Sequence, residues 1–143
     1  MTTAIRAACQ SDAVAIARLL EQLGYPCEES ALRARISQLG AHPDEVLLVT
    51  EQDGAVCAVL SLHFIPQLAL DGAFARISYF CVDETAQSRG LGAELERHVE
   101  RLARERGCDR IEVHCHSRRE RAHRFYARQG YEESPKYLMK RLV

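Results

Sequence analysis

The segment that most constrains this chain lies between Ile77 and Ser117. An apolar run, Ile77 to Val82, leads into Gln87-Ser88-Arg89-Gly90-Leu91-Gly92. A long amphipathic stretch follows, in which Leu91, Leu95, Val99 and Leu102 recur at helical spacing. Gly107 supplies a stop, and Arg110 to Ser117 then alternates Ile111, Val113 and Cys115 with Glu112, His114 and His116. Strand, loop, helix and strand make a βαβ unit, which favours a parallel pair with a right-handed crossover. Two glycines between a strand and a helix also let several backbone N–H groups converge on one small anion such as phosphate, because glycine has no Cβ to block close approach.

The rest of the chain supplies the partners for this unit. Thr3 to Ala8 reads as a first strand. Ser11 and Asp12 are N-cap residues for a helix carrying Ile16, Leu19, Leu20 and Leu23 on one face and ending at Gly24. A second helix follows Ser30, with Leu32, Ile36 and Leu39 inward and Gly40 and Pro43 closing it, and the loop from Tyr25 to Glu29 between the two is acidic. Glu45 to Glu51 and Ala55 to Ile65 flank Asp53-Gly54, a strong hairpin signal, and Pro66 and Asp71-Gly72 precede Phe74 to Val82. Three antiparallel strands in a meander are therefore expected before the glycine loop. A last helix, Arg119 to Gln129, carries Ala122, Phe125 and Tyr126, and Tyr131 to Leu142 reads as a final hairpin or strand around Pro135. The expected fold class is α/β (α+β), with a mixed central sheet of six to seven strands and about four helices in the order β-α-α-β-β-β-α-β-α-β.

Composition excludes several roles. A chain of 143 residues is expected to form one domain, 1–143. Nineteen basic against twenty acidic residues leave a net charge of -1, so nothing global recruits nucleic acid or an anionic membrane, although basic residues cluster between Arg89 and Arg128. No apolar segment approaches the roughly 20 residues that span a bilayer, and the first ten residues lack a signal-peptide core, so a cytoplasmic location is expected. The six cysteines form no C-x-x-C pair and mostly sit in apolar runs, as reduced thiols do.

Two motifs carry a family resemblance. Gln87-Ser88-Arg89-Gly90-Leu91-Gly92, five residues after Val82, resembles the Gln/Arg-x-x-Gly-x-Gly/Ala motif of the GNAT superfamily of N-acetyltransferases. Ala122-His123-Arg124-Phe125-Tyr126-Ala127-Arg128-Gln129-Gly130-Tyr131 is similar to that superfamily's Ala-x-x-Phe-Tyr-x-x-x-Gly-Phe/Tyr segment, and the element order agrees over essentially the whole chain. The segment Arg119 to Tyr126, with Gly130-Tyr131-Glu132, also resembles aminoalkylphosphonate and related small-amine acetyltransferases.

The resemblance implies acetyl-coenzyme A as cosubstrate. It further implies that the strands ending near Val82 and running from Ile111 to His116 splay apart, with the backbone of Phe80, Cys81 and Val82 contacting the pantetheine arm. Gln87, Ser88, Arg89, Gly90, Leu91, Gly92 and Ala93 would hold the pyrophosphate. The Val82 backbone N–H would face the oxyanion, and Tyr126 would contact the cofactor sulfur as the acid for the leaving thiolate. The implied reaction is direct acetyl transfer to a primary amine, with a small-molecule amine as partner and a homodimer as a possible assembly. Acidic Glu28 and Glu29 would suit a cationic amine.

The proton acceptor departs from the family pattern. Members with a glutamate base carry it four residues before the position of Val82, where this chain has Ser78, and the family's frequent asparagine is replaced by Arg119. Candidates to fill the gap are Glu112, His114 and His116, of which His116 lies nearest the expected splay, with His63 and Tyr79 as weaker choices. Imidazole suits the task because its ordinary pKa is about 6.5. No metal is expected; the competing arrangement, a divalent ion on His114 and His116, rests only on their alternation onto one face with Glu112.

Overall fold

The computed structural model describes residues 2–87, 89–115, 119–134 and 137–143. The chain forms two units, Met1–Glu112 and Val113–Val143. In the first, β1 (Thr3–Ala7), α1 (Ala13–Leu23), α2 (Glu29–Ala41), β2 (Glu45–Gln52), β3 (Ala55–Pro66), β4 (Ala73–Val82) and α3 (Leu91–Glu105) follow in chain order. β5 (Ile111–Val113) leads into the second unit, which holds α4 (Glu120–Arg128).

The sheet order is β1-β2-β3-β4-β5, and β1 to β4 are antiparallel neighbours, as the Asp-Gly turns require. Two bonds tie β4 to the segment entering β5, from Asp109 N–H to the Ala73 carbonyl and from Ala75 N–H to the Arg110 carbonyl. They advance in the same direction along both chains, as in a parallel pair, and both lie at the start of β4. The turn before β4 is fitted closely here: a Cβ on Gly72, whose φ is +77°, would stand 2.8 Å from the Gly107 carbonyl oxygen.

Alternation decides which face of each strand meets which helix. Val49, Val59 and Cys81 pack with Ile16 and Leu19 of α1 and with Leu32 and Ile36 of α2. α3 is amphipathic, and its Leu91, Leu95, Val99 and Ala103 are buried. A fully buried Leu contributes about 2 kcal/mol relative to an exposed one, so this stripe holds α3 in place.

The structure corrects the strand count. The sheet has five strands rather than six to seven, and among the described residues of Tyr131 to Leu142 there is no strand. The alternation there has no surface to cover it: Tyr137 and Met139 remain 62% and 60% exposed, and a strand without a buried face gains little. Among the described residues of the stretch expected as a strand, Arg110 to Ser117, the strand runs over Ile111–Val113, and residues 116 and 117 lie outside the described residues. Asp12, expected as an N-cap, makes no side-chain cap bond to α1; its carboxylate takes Arg6 at 2.8 and 2.9 Å and the Cys9 backbone N–H at 2.9 Å.

Candidate active site

The loop after β4 is built from buried contacts. Asp83 is buried, accepts from the backbone N–H and hydroxyl of Thr85 at 3.0 Å each, and pairs with Arg18. The Thr85 N–H, helped by Arg18, holds the Asp83 carboxyl below the usual carboxylate range against the opposing push of burial. The Asp83 N–H donates to the Cys57 carbonyl at 2.8 Å, joining the loop to β3. The Gln87 side-chain amide, expected to face an anion, donates instead to the Val82 carbonyl at 3.1 Å and closes the loop on itself.

Gly90 is the residue before α3 and has φ +78°. A Cβ added there would meet no atom within 4 Å, so the dihedral rather than space calls for glycine. Leu91 is buried in a cluster with Cys57 and Ala86, against which Val82 packs. The Glu94 N–H bonds the Gly90 carbonyl at 3.1 Å and opens the helix. The N–H groups of Leu91, Gly92 and Ala93 therefore have no acceptor one turn back within the helix and lie at the positive end of its dipole. Arg89 is exposed and reaches Gln52 at 3.3 Å. Ser88 lies outside the described residues.

Phe80, Cys81 and Val82 stand opposite Leu60, Val59 and Ala58. Cys81 is buried, its thiol donating to the Leu19 carbonyl at 3.3 Å, which ties this strand end to α1.

Ser78 has the partner that was missing in the sequence. Ser61 stands opposite Tyr79 and Leu62 opposite Ile77, so Ser78 is the extra residue of a β-bulge. Its hydroxyl lies 2.5 Å from His63 Nε2, and His63 Nδ1 in turn meets the carboxylate of Glu45, the residue directly opposite on β2. The His63 and Glu45 side chains are 24% and 22% exposed, whereas Ser78 is open to solvent. Glu45 had no signal in the sequence, because residues 45, 63 and 78 meet only through the sheet register.

The other proposed acceptors sit differently. Burial pushes the Glu112 carboxyl up, but the paired guanidinium groups of Arg110 and Arg76, at 2.8 and 2.9 Å, outweigh this and hold it below its ordinary range. A carboxylate so held is a poor base. Tyr79 is exposed and meets Tyr25 of the α1–α2 loop edge-on at 5.2 Å. Glu29 is paired with Arg33 at 2.8 Å, and Glu28 with the Ser30 hydroxyl.

In the C-terminal unit, His114 stacks on Tyr137 at 4.3 Å, and Tyr126 is buried with its ring edge-on to Phe125 and Tyr131. His116 lies outside the described residues. Among those that are described, no group of three or more His, Cys, Asp and Glu could hold a metal ion. No helix among them is long and apolar enough to cross a membrane.

This arrangement is a strand whose end leads through Gly90 into the N-terminus of α3, beside a sheet face bearing a hydroxyl and an imidazole. A family model described as the acetyltransferase (GNAT) family matches residues 10–131. The chain belongs to that family. It is 30% identical to glucosamine 6-phosphate N-acetyltransferase 1 of Oryza sativa subsp. japonica over 124 residues, covering 80% of this chain and 72% of that relative. It is also 30% identical to aminoalkylphosphonate N-acetyltransferase of Salmonella typhimurium over 83 residues, 58% of this chain and 54% of that one. The crystal structure of glucosamine-6-phosphate N-acetyltransferase from Arabidopsis thaliana shares the fold, with a TM-score of 0.86 at 20% identity over 100% of both chains. As a GNAT acetyltransferase the chain is an acyltransferase whose family uses acetyl-coenzyme A.

Proposed function

We propose that this GNAT domain, spanning 1–143, transfers an acetyl group from acetyl-coenzyme A directly to a primary amine of a small molecule. The observation that carries the reading is the start of α3. There Gly90 at φ +78° and buried Leu91 present the first amides of a fifteen-residue helix just beyond the end of β4. Such a helix start fits a pyrophosphate, because the dipole and the donors both favour an anion.

When bound, acetyl-coenzyme A supplies an acetyl thioester. The chain's own residues do the rest. The amides from Ser88 to Ala93 hold the pyrophosphate, with Arg89 adding an exposed positive charge, and the backbone of Phe80, Cys81 and Val82 takes the pantetheine arm. The Val82 N–H stabilises the developing oxyanion. An alkyl amine with a pKa of about 10.4 arrives protonated, so a proton must be accepted before it can attack. Tyr126 bonds the sulfur. The leaving thiolate resembles a cysteine with a pKa of about 8.5, so its protonation contributes modestly.

Both of these relatives are named for small amines that carry a phosphate or phosphonate. The test follows free thiol release from acetyl-coenzyme A with glucosamine 6-phosphate, an aminoalkylphosphonate, uncharged alkyl amines and a lysine peptide as acceptors. Release with a small amine supports the reading. Release only with the peptide makes the protein a modifier of protein amines, and cofactor binding without acceptor-dependent release makes it a binding module. Tyr126→Phe should lower kcat about tenfold while leaving cofactor affinity within about twofold, since one hydrogen bond near the sulfur is lost. Unchanged kcat removes Tyr126 from the chemistry.

A further inference from the structure

We infer that Glu45, His63 and Ser78 form the relay that takes the proton from the acceptor amine, with His63 as the group that finally holds it. The inference rests on the acetyl-transfer reading above and completes it at the step for which the family's glutamate is absent.

The geometry fixes the direction of transfer. A carboxylate only accepts, so His63 Nδ1 must carry the hydrogen that faces Glu45, and Nε2 is then the acceptor for the Ser78 hydroxyl hydrogen. Ser78 is exposed, so an amine or one intervening water can reach its oxygen and donate to it. The bulge matters here, because in a regular ladder one residue of β4 opposes each residue of β3, whereas Ser78 is set out of register. Tyr79, the next residue, meets Tyr25 edge-on and brings the α1–α2 loop to the same strand.

The groups facing His63 on the sheet are Glu45 from β2, Ser78 and Arg76 from β4, and, through Arg76, Glu112 from β5. Arg76 stands directly opposite His63, yet its guanidinium is turned to Glu112 at 2.9 Å. Glu45 is therefore the charge that meets the imidazole.

In the transfer, the ammonium gives one proton to the Ser78 oxygen as the Ser78 hydrogen passes to His63 Nε2, leaving a neutral amine and an imidazolium held by Glu45. The amine nitrogen then bonds the acetyl carbon while the carbon–sulfur bond breaks. A second nitrogen-bound proton goes to the departing thiolate, the third stays in the amide, and the imidazolium returns its proton to solvent. An alkyl amine with an ordinary pKa of about 10.4 arrives protonated, so the relay should matter most for the most basic amines.

The experiment compares wild type with His63→Gln, Glu45→Gln and Ser78→Ala on two acceptors of similar size, an alkyl amine and a weakly basic amine. His63→Gln is expected to lower kcat for the alkyl amine about 10²-fold near neutral pH, a typical size for a lost general base. The deficit should shrink as pH approaches the amine's own pKa of about 10.4, and should be within about threefold for the weakly basic amine throughout. Coenzyme A affinity by calorimetry should stay unchanged. Apart from activity, the ¹⁵N-labelled His63 ring at about pH 8.5, well above the ordinary imidazole pKa, should show the Nδ1-protonated tautomer, and Glu45→Gln should disturb it. Equal deficits for both amines, an Nε2-protonated ring, or an acetyl group found on Ser78 by mass spectrometry would each overturn the relay. A wild type inert toward every amine defeats the acetyl-transfer reading itself, whereas an active wild type matched by His63→Gln defeats the relay alone.

Discussion

The two ends of the functional stretch of β4 are built by different means. Downstream of Val82 the loop is shaped through its backbone: Gly90 takes a dihedral that other residues avoid, Leu91 is locked in the core, and the first amides of α3 have no acceptor within the helix. Upstream, at Ser78, the backbone is merely displaced by a bulge, and side chains from three strands meet there, the carboxylate of Glu45, the imidazole of His63 and the Ser78 hydroxyl. Apart from Gly90 and Leu91, the first device tolerates variation in its side chains, since amides are common to all residues but proline. The second tolerates little, because a carboxylate, an imidazole and a hydroxyl must each be in place. On the proposed reading, the anion is always present on the cofactor and can be met by a general device, whereas the proton to be removed belongs to whichever amine is bound.

That contrast can be broken or sharpened by substitution, and the largest effect should come from the anchor of the loop. Leu91→Ala should cost about 2–4 kcal/mol in urea denaturation and weaken coenzyme A binding as well, because the buried side chain leaves a cavity beneath the first turn of α3. Binding unchanged at that loss of stability would mean the loop holds its shape without its anchor.

Gly90→Ala should be next. Forcing alanine to φ +78° costs about 1–2 kcal/mol, so coenzyme A affinity should fall roughly 5–30-fold if the loop shifts to relieve the strain. The ratio of rates on strongly and weakly basic amines should not change. A changed ratio would couple the two ends of the strand and erase the distinction drawn between them.

A comparable effect on stability, remote from both ends, is expected at Asp12. The Arg6 guanidinium holds this buried carboxyl at about 2 despite the upward push of burial, aided by the Cys9 backbone N–H. A depressed folded pKa contributes stability above the unfolded value of about 3.9 that is lost as pH falls toward 2, and with Arg6 itself partly solvated the contribution is about 1–2 kcal/mol. Asp12→Asn should lose that amount at neutral pH, and its difference from wild type should vanish in acid. A constant difference across pH would mean packing rather than charge is at work.

The smallest effect belongs to Arg89. Its guanidinium is exposed and its one described bond is to Gln52, so Arg89→Ala should weaken coenzyme A binding about two- to fivefold and less at high salt. A loss of 100-fold would show that a side chain, not the backbone, carries the anion.

Much of this was legible before the structure. The periodicity of Leu91, Leu95 and Val99 predicts α3, and the Asp-Gly turns predict the meander, because local propensity and burial agree there. The last strand failed for the opposite reason: alternation from Tyr131 to Leu142 predicts a strand only if something covers one face, and Tyr137, Leu138 and Met139 stay exposed. Glu112 was legible as a residue and misleading as a base, because only the fold brings Arg76 of the neighbouring strand to it, beside Arg110, which lies two residues before it in the chain.

The sequence by itself determined the family and the order of the elements from β1 to α4, since each depends on residues close together in the chain. Tertiary structure alone decided what stands beside Ser78. Glu45 and His63 are eighteen residues apart, and Ser78 lies fifteen further on. They meet only because two antiparallel registers and one bulge bring them to the same face of the sheet.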